Sequence, residues 1–293
     1  MSNLKKLTLD WKQILALSLW FKSQQTTEGL TNLDRISLCF FGAKENEMPM
    51  LPVEILKAPN LTEMDIINCE SLENFLAQNP MIGDEEMLGQ LTILMLYNVA
   101  TTQLFELESS SLNIMCGRLH ELTVVQCLHL TTLGVLSTST VSFSCLKKVS
   151  IDKCPNLKYL FTTSAAKKLA NLEKILVIKC ESITEIVAKE GDATSEAIKF
   201  ERLHIIHLQS LTSLKCFYSG SDTLQLSSLK IVAIWNCPNM EIFSHGIESL
   251  MEITLSMDQE AAYLPPPQDL NTRIKGISQR KVKISRMCLE IYL

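Results

Sequence analysis

The stretch Leu146-Lys-Lys-Val-Ser-Ile-Asp-Lys-Cys154-Pro-Asn-Leu-Lys-Tyr-Leu-Phe161 decides the architecture. Leu146 is followed by apolar residues three and five places on, Val149 and Ile151, and by Cys154 eight places on. Val149 and Ile151 are two apart, the spacing at which a strand returns side chains to one face. Lys148, Ser150 and Asp152 then point to the opposite face. The same order recurs at Leu61-Met64-Ile66-Cys69, Leu119-Leu122-Val124-Cys127, Leu172-Ile175-Val177-Cys180 and Leu229-Val232-Ile234-Cys237. An apolar residue replaces Cys in Leu33-Ile36-Leu38-Phe41, Leu91-Leu94-Leu96-Val99 and Leu203-Ile206-Leu208-Leu211. Leu4-Leu7-Leu9 opens the series, and Leu250-Ile253-Leu255 reads as a degenerate last copy.

The first Leu falls at 4, 33, 61, 91, 119, 146, 172, 203 and 229, so the steps are 29, 28, 30, 28, 27, 26, 31 and 26 residues. This is the leucine-rich-repeat period, toward its long end. The pattern extends beyond the strand. Six residues past the Cys slot stand Phe75, Leu133, Leu160, Ile186, Phe217 and Phe243. Midway stand Leu72, Leu130, Leu157, Ile183, Leu214 and Met240; three residues before the first Leu stand Leu30, Leu88, Phe143, Leu169, Phe200 and Leu226. The expected fold is α/β: a right-handed leucine-rich-repeat solenoid with a concave parallel β-sheet and an irregular or short-helical convex side. It comprises nine to ten coils over residues 1–255. One coil cannot bury its own apolar edge, so several must stack. Ala165, Ala166, Leu169 and Leu172 lie at helical spacing and predict a short helix over 162–172.

Residues 256–293 read as a Pro-containing basic tail or a carboxyl-terminal cap. Pro265-Pro-Pro267 marks a break, and Arg273 to Arg286 holds six basic residues and no acidic one. This run reads as a solvated tail or terminal cap, or as an electrostatic contact for an acidic domain or nucleic acid. The alternation Val282 to Met287 also allows a capping strand.

Composition narrows the function. With 293 residues and 46% hydrophobic content the chain can build a large core. The formal net charge of −5 argues against a general nucleic-acid binder. No secretory signal and no run of about 18 apolar residues is visible, so a cytoplasmic protein without a membrane span is expected. The 10 cysteines then read as free thiols. Cys69, Cys127, Cys154, Cys180 and Cys237 share the slot at the strand end, where a small buried side chain fits. Disulfide contact between stacked neighbours such as Cys127, Cys154 and Cys180 stays open. Zinc needs ligand pairs at short spacing, and none is present. His204 and His207 lie three apart, on opposite faces of a strand. No phosphate-cradling loop, nucleophile elbow or zinc-protease motif occurs, so neither an enzyme nor a cofactor is implied.

The outward strand positions lie two, four and six residues after each first Leu, and a solvated face should be mostly polar there. Instead Ile67, Ile93, Met95, Tyr97 and Val125 gather in adjacent coils. Leu176, Ile178, Ile205, Ile231 and Trp235 form a second group, with His207 in the middle column. Lys148, Lys153 and Lys174 add positive charge between them. Apolar groups with aromatic anchors mark a protein-binding face. Alternatively, another domain or a loop of the same protein covers them.

Residues Leu146 to Phe161 resemble plant nucleotide-binding leucine-rich-repeat disease-resistance proteins of the coiled-coil class. So do the run Leu172 to Val187, the segment Trp235-Asn-Cys-Pro-Asn-Met-Glu-Ile-Phe243 and the opening Leu4-Lys-Lys-Leu-Thr-Leu-Asp-Trp-Lys12. Asp269-Leu-Asn-Thr272 resembles the segment that follows such a repeat block. The likeness covers most of residues 1–255. It implies the recognition part of an intracellular immune receptor. Its partner would be a pathogen effector, a host protein that the effector alters, or the receptor's own nucleotide-binding domain, which the repeats hold inactive. The sequence carries no phosphate loop and no coiled coil, so nucleotide binding and signalling do not carry over. Cys180-Glu-Ser-Ile-Thr-Glu185 also resembles the substrate-binding repeats of ubiquitin-ligase adaptors, but no adaptor-binding helical domain accompanies it.

Overall fold

The computed structural model describes residues 4–23, 30–43, 48–79, 88, 90–104, 118–133, 143–190, 197–248, 254–256, 270–271 and 274. The chain divides into two compact units, Met1–Cys154 and Pro155–Leu293. Both are built from leucine-rich-repeat coils, giving an α/β solenoid in which each coil contributes one strand to a parallel sheet.

In the first unit the strands are β1 (Lys6–Asp10), β2 (Arg35–Cys39), β3 (Glu63–Ile67), β4 (Ile93–Tyr97), β5 (Glu121–Val125) and β6 (Lys148–Asp152). They pair in sequence order, in parallel, with Lys6, Arg35, Glu63, Ile93, Glu121 and Lys148 in register. This is the alignment that the Leu ladder predicts. The interior positions are closed: Leu33, Ile36, Leu38, Leu94, Leu96, Leu119, Val124, Val149 and Ile151 are each 0% exposed. The return segments carry α1 (Trp11–Ser23), α2 (Val53–Leu56) and α3 (Leu72–Gln78). Helix α1 was not anticipated from its apolar spacing, yet its start is legible. The Asp10 carboxylate accepts from the Gln13 backbone N–H at 2.8 Å, and the Gln13 side chain accepts from the Asp10 N–H at 2.9 Å. This reciprocal pair satisfies two otherwise orphaned donors at the helix start.

The second unit has β7 (Phe161–Thr162), α4 (Thr163–Ala166), β8 (Lys174–Ile178), β9 (Glu185–Ala188), β10 (Ile198–Lys199), β11 (Ile205–Gln209), β12 (Cys216–Tyr218), β13 (Leu224–Gln225), β14 (Ile231–Trp235), β15 (Ile247–Glu248) and β16 (Thr254–Ser256). Its repeat sheet runs β8-β11-β14-β16, with Lys174, Ile205 and Ile231 aligned. The convex side departs from the expected irregular or helical segments. Return segments form two small parallel sheets, β7-β9-β12 and β10-β13-β15. The expected helix over 162–172 shrinks to Thr163–Ala166, started by the Thr162 hydroxyl accepting from the Ala165 N–H. Beyond it, Leu169 and Leu172 serve the next coil as buried ladder residues.

A left-handed residue follows most strands of the repeat sheets. Asn68, Asn98, Gln126, Lys153, Lys179, Ser210 and Asn236 occupy one repeat position, seven after the first Leu, with φ between 50° and 57°. The Gln126 N–H reaches the Asp152 carbonyl at 2.9 Å, and the Lys179 N–H reaches the Gln209 carbonyl at 2.8 Å. The turn therefore extends the ladder while folding the next residue, the Cys slot, inward. The second coil differs: Gly42 takes the positive φ of 71°, so Phe40 is buried and Phe41 is 81% exposed. The sequence pattern had put Phe41 in the buried slot. The last copy also shifts. Leu255 pairs opposite Val232, two residues from the alignment that Leu250-Ile253-Leu255 suggests.

Cys69, Cys127, Cys154 and Cys180 are 0% exposed. All eight described cysteines are free thiols, so the open disulfide alternative is not realised among them. The Cys154 Sγ donates to the Asp152 carbonyl at 3.5 Å, the Cys180 Sγ to Ile178 at 3.3 Å and the Cys237 Sγ to Trp235 at 3.4 Å. The thiol fits the slot because it fills apolar space and offers one weak donor to the carbonyl two residues back. Burial pushes the Cys69 and Cys237 thiols up to about 11.

Of residues 256–293, only Ser256, Leu270, Asn271 and Ile274 are described. Asn271 holds the second unit's end. Its Oδ1 accepts from the Phe243 N–H at 2.8 Å, and its Nδ2 donates to the Ser244 carbonyl at 2.8 Å. The side-chain amide thus stands where the backbone amide of a further rung would. The basic run and the alternation over 282–287 lie outside the described residues.

Candidate functional site: the outward strand face

Strand alternation turns one set of side chains into the coils and leaves the next set on the open face of each sheet. Strands β4, β5 and β6 show this as strict alternation, their first, third and fifth residues half-buried and the second and fourth buried.

In the first unit the apolar residues expected on this face are together. Ile67, Tyr97 and Val125 lie in register on β3, β4 and β5, and Ile93, Met95 and Tyr97 follow one another along β4. All five are half-buried. Charged residues flank them. Arg35 on β2 places Nη2 at 2.8 Å from Asp65 Oδ2 and Nη1 at 3.3 Å from Glu63 Oε2, both on β3. The Arg35 Nε and the Ser37 hydroxyl also donate to Asp65 Oδ2. The hydrogen bond to Asp65 is the largest influence holding the Arg35 guanidinium above its ordinary value. Asp65, placed on the outward column by sequence, is buried at 3% under this network. A carboxylate so enclosed needs several donors to offset its lost hydration. On the other flank Lys148 Nζ lies 3.3 Å from Glu121 Oε2.

The second unit differs from expectation. Leu176, Ile178, Ile205 and Ile231 are half-buried and Lys174 is exposed, as an outward face requires. His207 and Trp235, expected to be accessible, are buried at 5% and 7%, and Ala233 at 1%. The physical reason lies in the neighbouring columns. Ala233 stands opposite His207 and leaves room for ring packing; His207 and Trp235 meet with centroids 5.9 Å apart, and His207 Nε2 lies 3.2 Å from Gln209 Oε1. Burial pulls the His207 imidazole below its ordinary value, and the hydrogen bond with Gln209 opposes this. Among the described residues no group of three or more His, Cys, Asp or Glu could hold a metal ion.

Residues 85–181 and 134–253 match the family model described as plant disease resistance protein RPS2-like, leucine-rich repeats. The two overlapping matches together span more than half of the chain. The chain belongs to this family. The family is the leucine-rich-repeat region of plant disease-resistance proteins, and modules of this kind generally bind proteins. No helix among the described residues is long and apolar enough to cross a membrane. The coil-end positive-φ positions and the Arg35–Asp65 network were missed by sequence reading. Asn recurring seven residues after the first Leu was the signal for the former; a basic residue one repeat before an acidic pair was the signal for the latter.

Proposed function

We propose that the open strand face is the protein-recognition surface of an intracellular plant immune receptor. It senses a pathogen effector or a host protein altered by one, or it restrains the receptor's nucleotide-binding domain. Family membership supports the disease-resistance setting. The observation that carries the surface assignment is the half-exposed group Ile67, Ile93, Met95, Tyr97 and Val125, held in register on three strands of a parallel sheet. A solvated face has no use for such a group, whereas apolar area ringed by polar pairs is the anatomy of a binding patch. Leu176, Ile178, Ile205 and Ile231, with Lys174, supply a separate candidate surface in the second unit.

The test is a receptor carrying this chain, expressed in leaf tissue, wild-type against Met95→Asp and Leu176→Asp. Loss of the defence response is expected if the face senses a ligand, and a constitutive response if it restrains the switch. Unchanged output from both variants, at equal protein levels, overturns the assignment.

A further inference from the structure

From β2 to β6 the first outward column of the first unit reads Arg35, Glu63, Ile93, Glu121 and Lys148, with Lys6 before it on β1. The order is cation, carboxylate, apolar, carboxylate, cation, centred on β4. Neither carboxylate beside Ile93 has its charge uncompensated. Glu63 is held at 3.3 Å by Arg35 on the outer side, and Glu121 at 3.3 Å by Lys148 on the other outer side. Asp65, opposite Met95, is likewise engaged by Arg35 at 2.8 Å. Arg35 and Lys148 are therefore both occupied, each by a carboxylate that stands between it and β4. What β4 presents is apolar, with carboxylates as its nearest charged neighbours. An acidic group brought beside β4 would meet those carboxylates before it met a cation, and displacing Arg35 would strand the buried Asp65.

We propose that the partner contacts β4 through a short protein segment that inserts apolar side chains and carries no carboxylate at the contact. This rests on the reading of the face as a protein-recognition surface and names the chemistry it selects. Glu63, Asp65 and Glu121 share only Arg35 and Lys148, so the surround of β4 keeps an excess of negative charge that excludes acidic segments, and the apolar residues supply the affinity.

The probe is a library of random twelve-residue peptides displayed on phage and sorted on the full chain. Recovered peptides are expected to share two or more large apolar residues and to lack Asp and Glu. Their affinity should fall about tenfold or more on Met95→Asp. It should change less than about threefold between roughly 0.05 and 0.5 M salt, because no ion pair with the partner forms. Tyr97→Ser serves as a second variant should Met95→Asp lower the melting temperature. Lys148→Ala exposes the Glu121 charge and should shift the selected peptides toward Lys and Arg. Acid-rich peptides, strongly salt-dependent binding, binding indifferent to Met95 and Tyr97, or no enrichment at all would each overturn the proposal. If the peptides need Met95 while the defence response in leaf tissue ignores it, the immune reading fails and the binding chemistry stands.

Discussion

The two units use one repeat to build two different outward faces. In the first, β4 leaves Ile93, Met95 and Tyr97 half-open, between charged residues that satisfy one another. In the second, β14 has closed: four of its five residues are buried, including the outward-column residues Ala233 and Trp235. The return sides differ as well. The first unit uses helices α1 to α3, and the second, besides the one-turn helix α4, uses short strands with Phe217 stacked on Phe243 at 4.7 Å and edge-on to Phe200 at 6.4 Å. Strand period alone says which way a side chain points. It does not say whether that side is covered, and the comparison shows that the same column can be surface in one coil and core in another.

The largest expected effect tests this difference directly. Trp235→Ala should cost about 3–5 kcal/mol, the range for removing a buried aromatic ring. Tyr97→Ala, in the same column of the first unit, should cost about 1 kcal/mol or less, because its ring is half-exposed on the open face. Denaturant unfolding of the two variants checks the pair; equal losses would mean that the two faces are alike.

The Cys slot gives the next effect. Cys154→Ser should destabilise the first unit by about 1–3 kcal/mol, since a hydroxyl in a 0%-exposed apolar slot exchanges a weakly polar group for one that needs a full hydrogen bond. The Asp152 carbonyl 3.5 Å from Sγ offers one acceptor, which keeps the cost at the lower part of that span. An unchanged unfolding midpoint would contradict the tight packing of the slot.

Much of this was legible in the sequence because it depends on period. Leu146, Val149, Ile151 and Cys154 fix strand, interior and turn, and the parallel register follows from stacking equal copies. Ile93, Met95 and Tyr97 could be placed on the open face for the same reason. Part of what could not be read was set by pairs of residues about one repeat apart. The cover over His207 requires Ala at 233, one coil on; the burial of Asp65 requires Arg35, one coil back. Phe41 went astray because Gly42 takes the positive φ and moves Phe40 into the core. Helix α1 was hidden because its apolar residues do not form a clean stripe: Leu15 and Leu19 are 43% and 69% exposed while Ile14 is 0%.

The smallest expected effect sharpens the comparison through pH. His207 is buried in the second unit, and burial holds its imidazole below the ordinary value. The unfolded chain, with an imidazole near about 6.5, therefore binds a proton before the folded chain does. Stability from the neutral ring is fully present above that value and is lost as pH falls below it toward the folded-state value. Taking the chain from about pH 7.5 to about pH 5.5 should thus lower its melting temperature, and His207→Gln should reduce that slope while keeping a hydrogen-bonding side chain beside Gln209. The open face of the first unit has no buried imidazole among its outward columns, so a Tyr97→Ala background should leave the slope unchanged. If His207→Gln titrates as steeply as the wild type, the ring is not sealed, and the second unit's face is as open as the first.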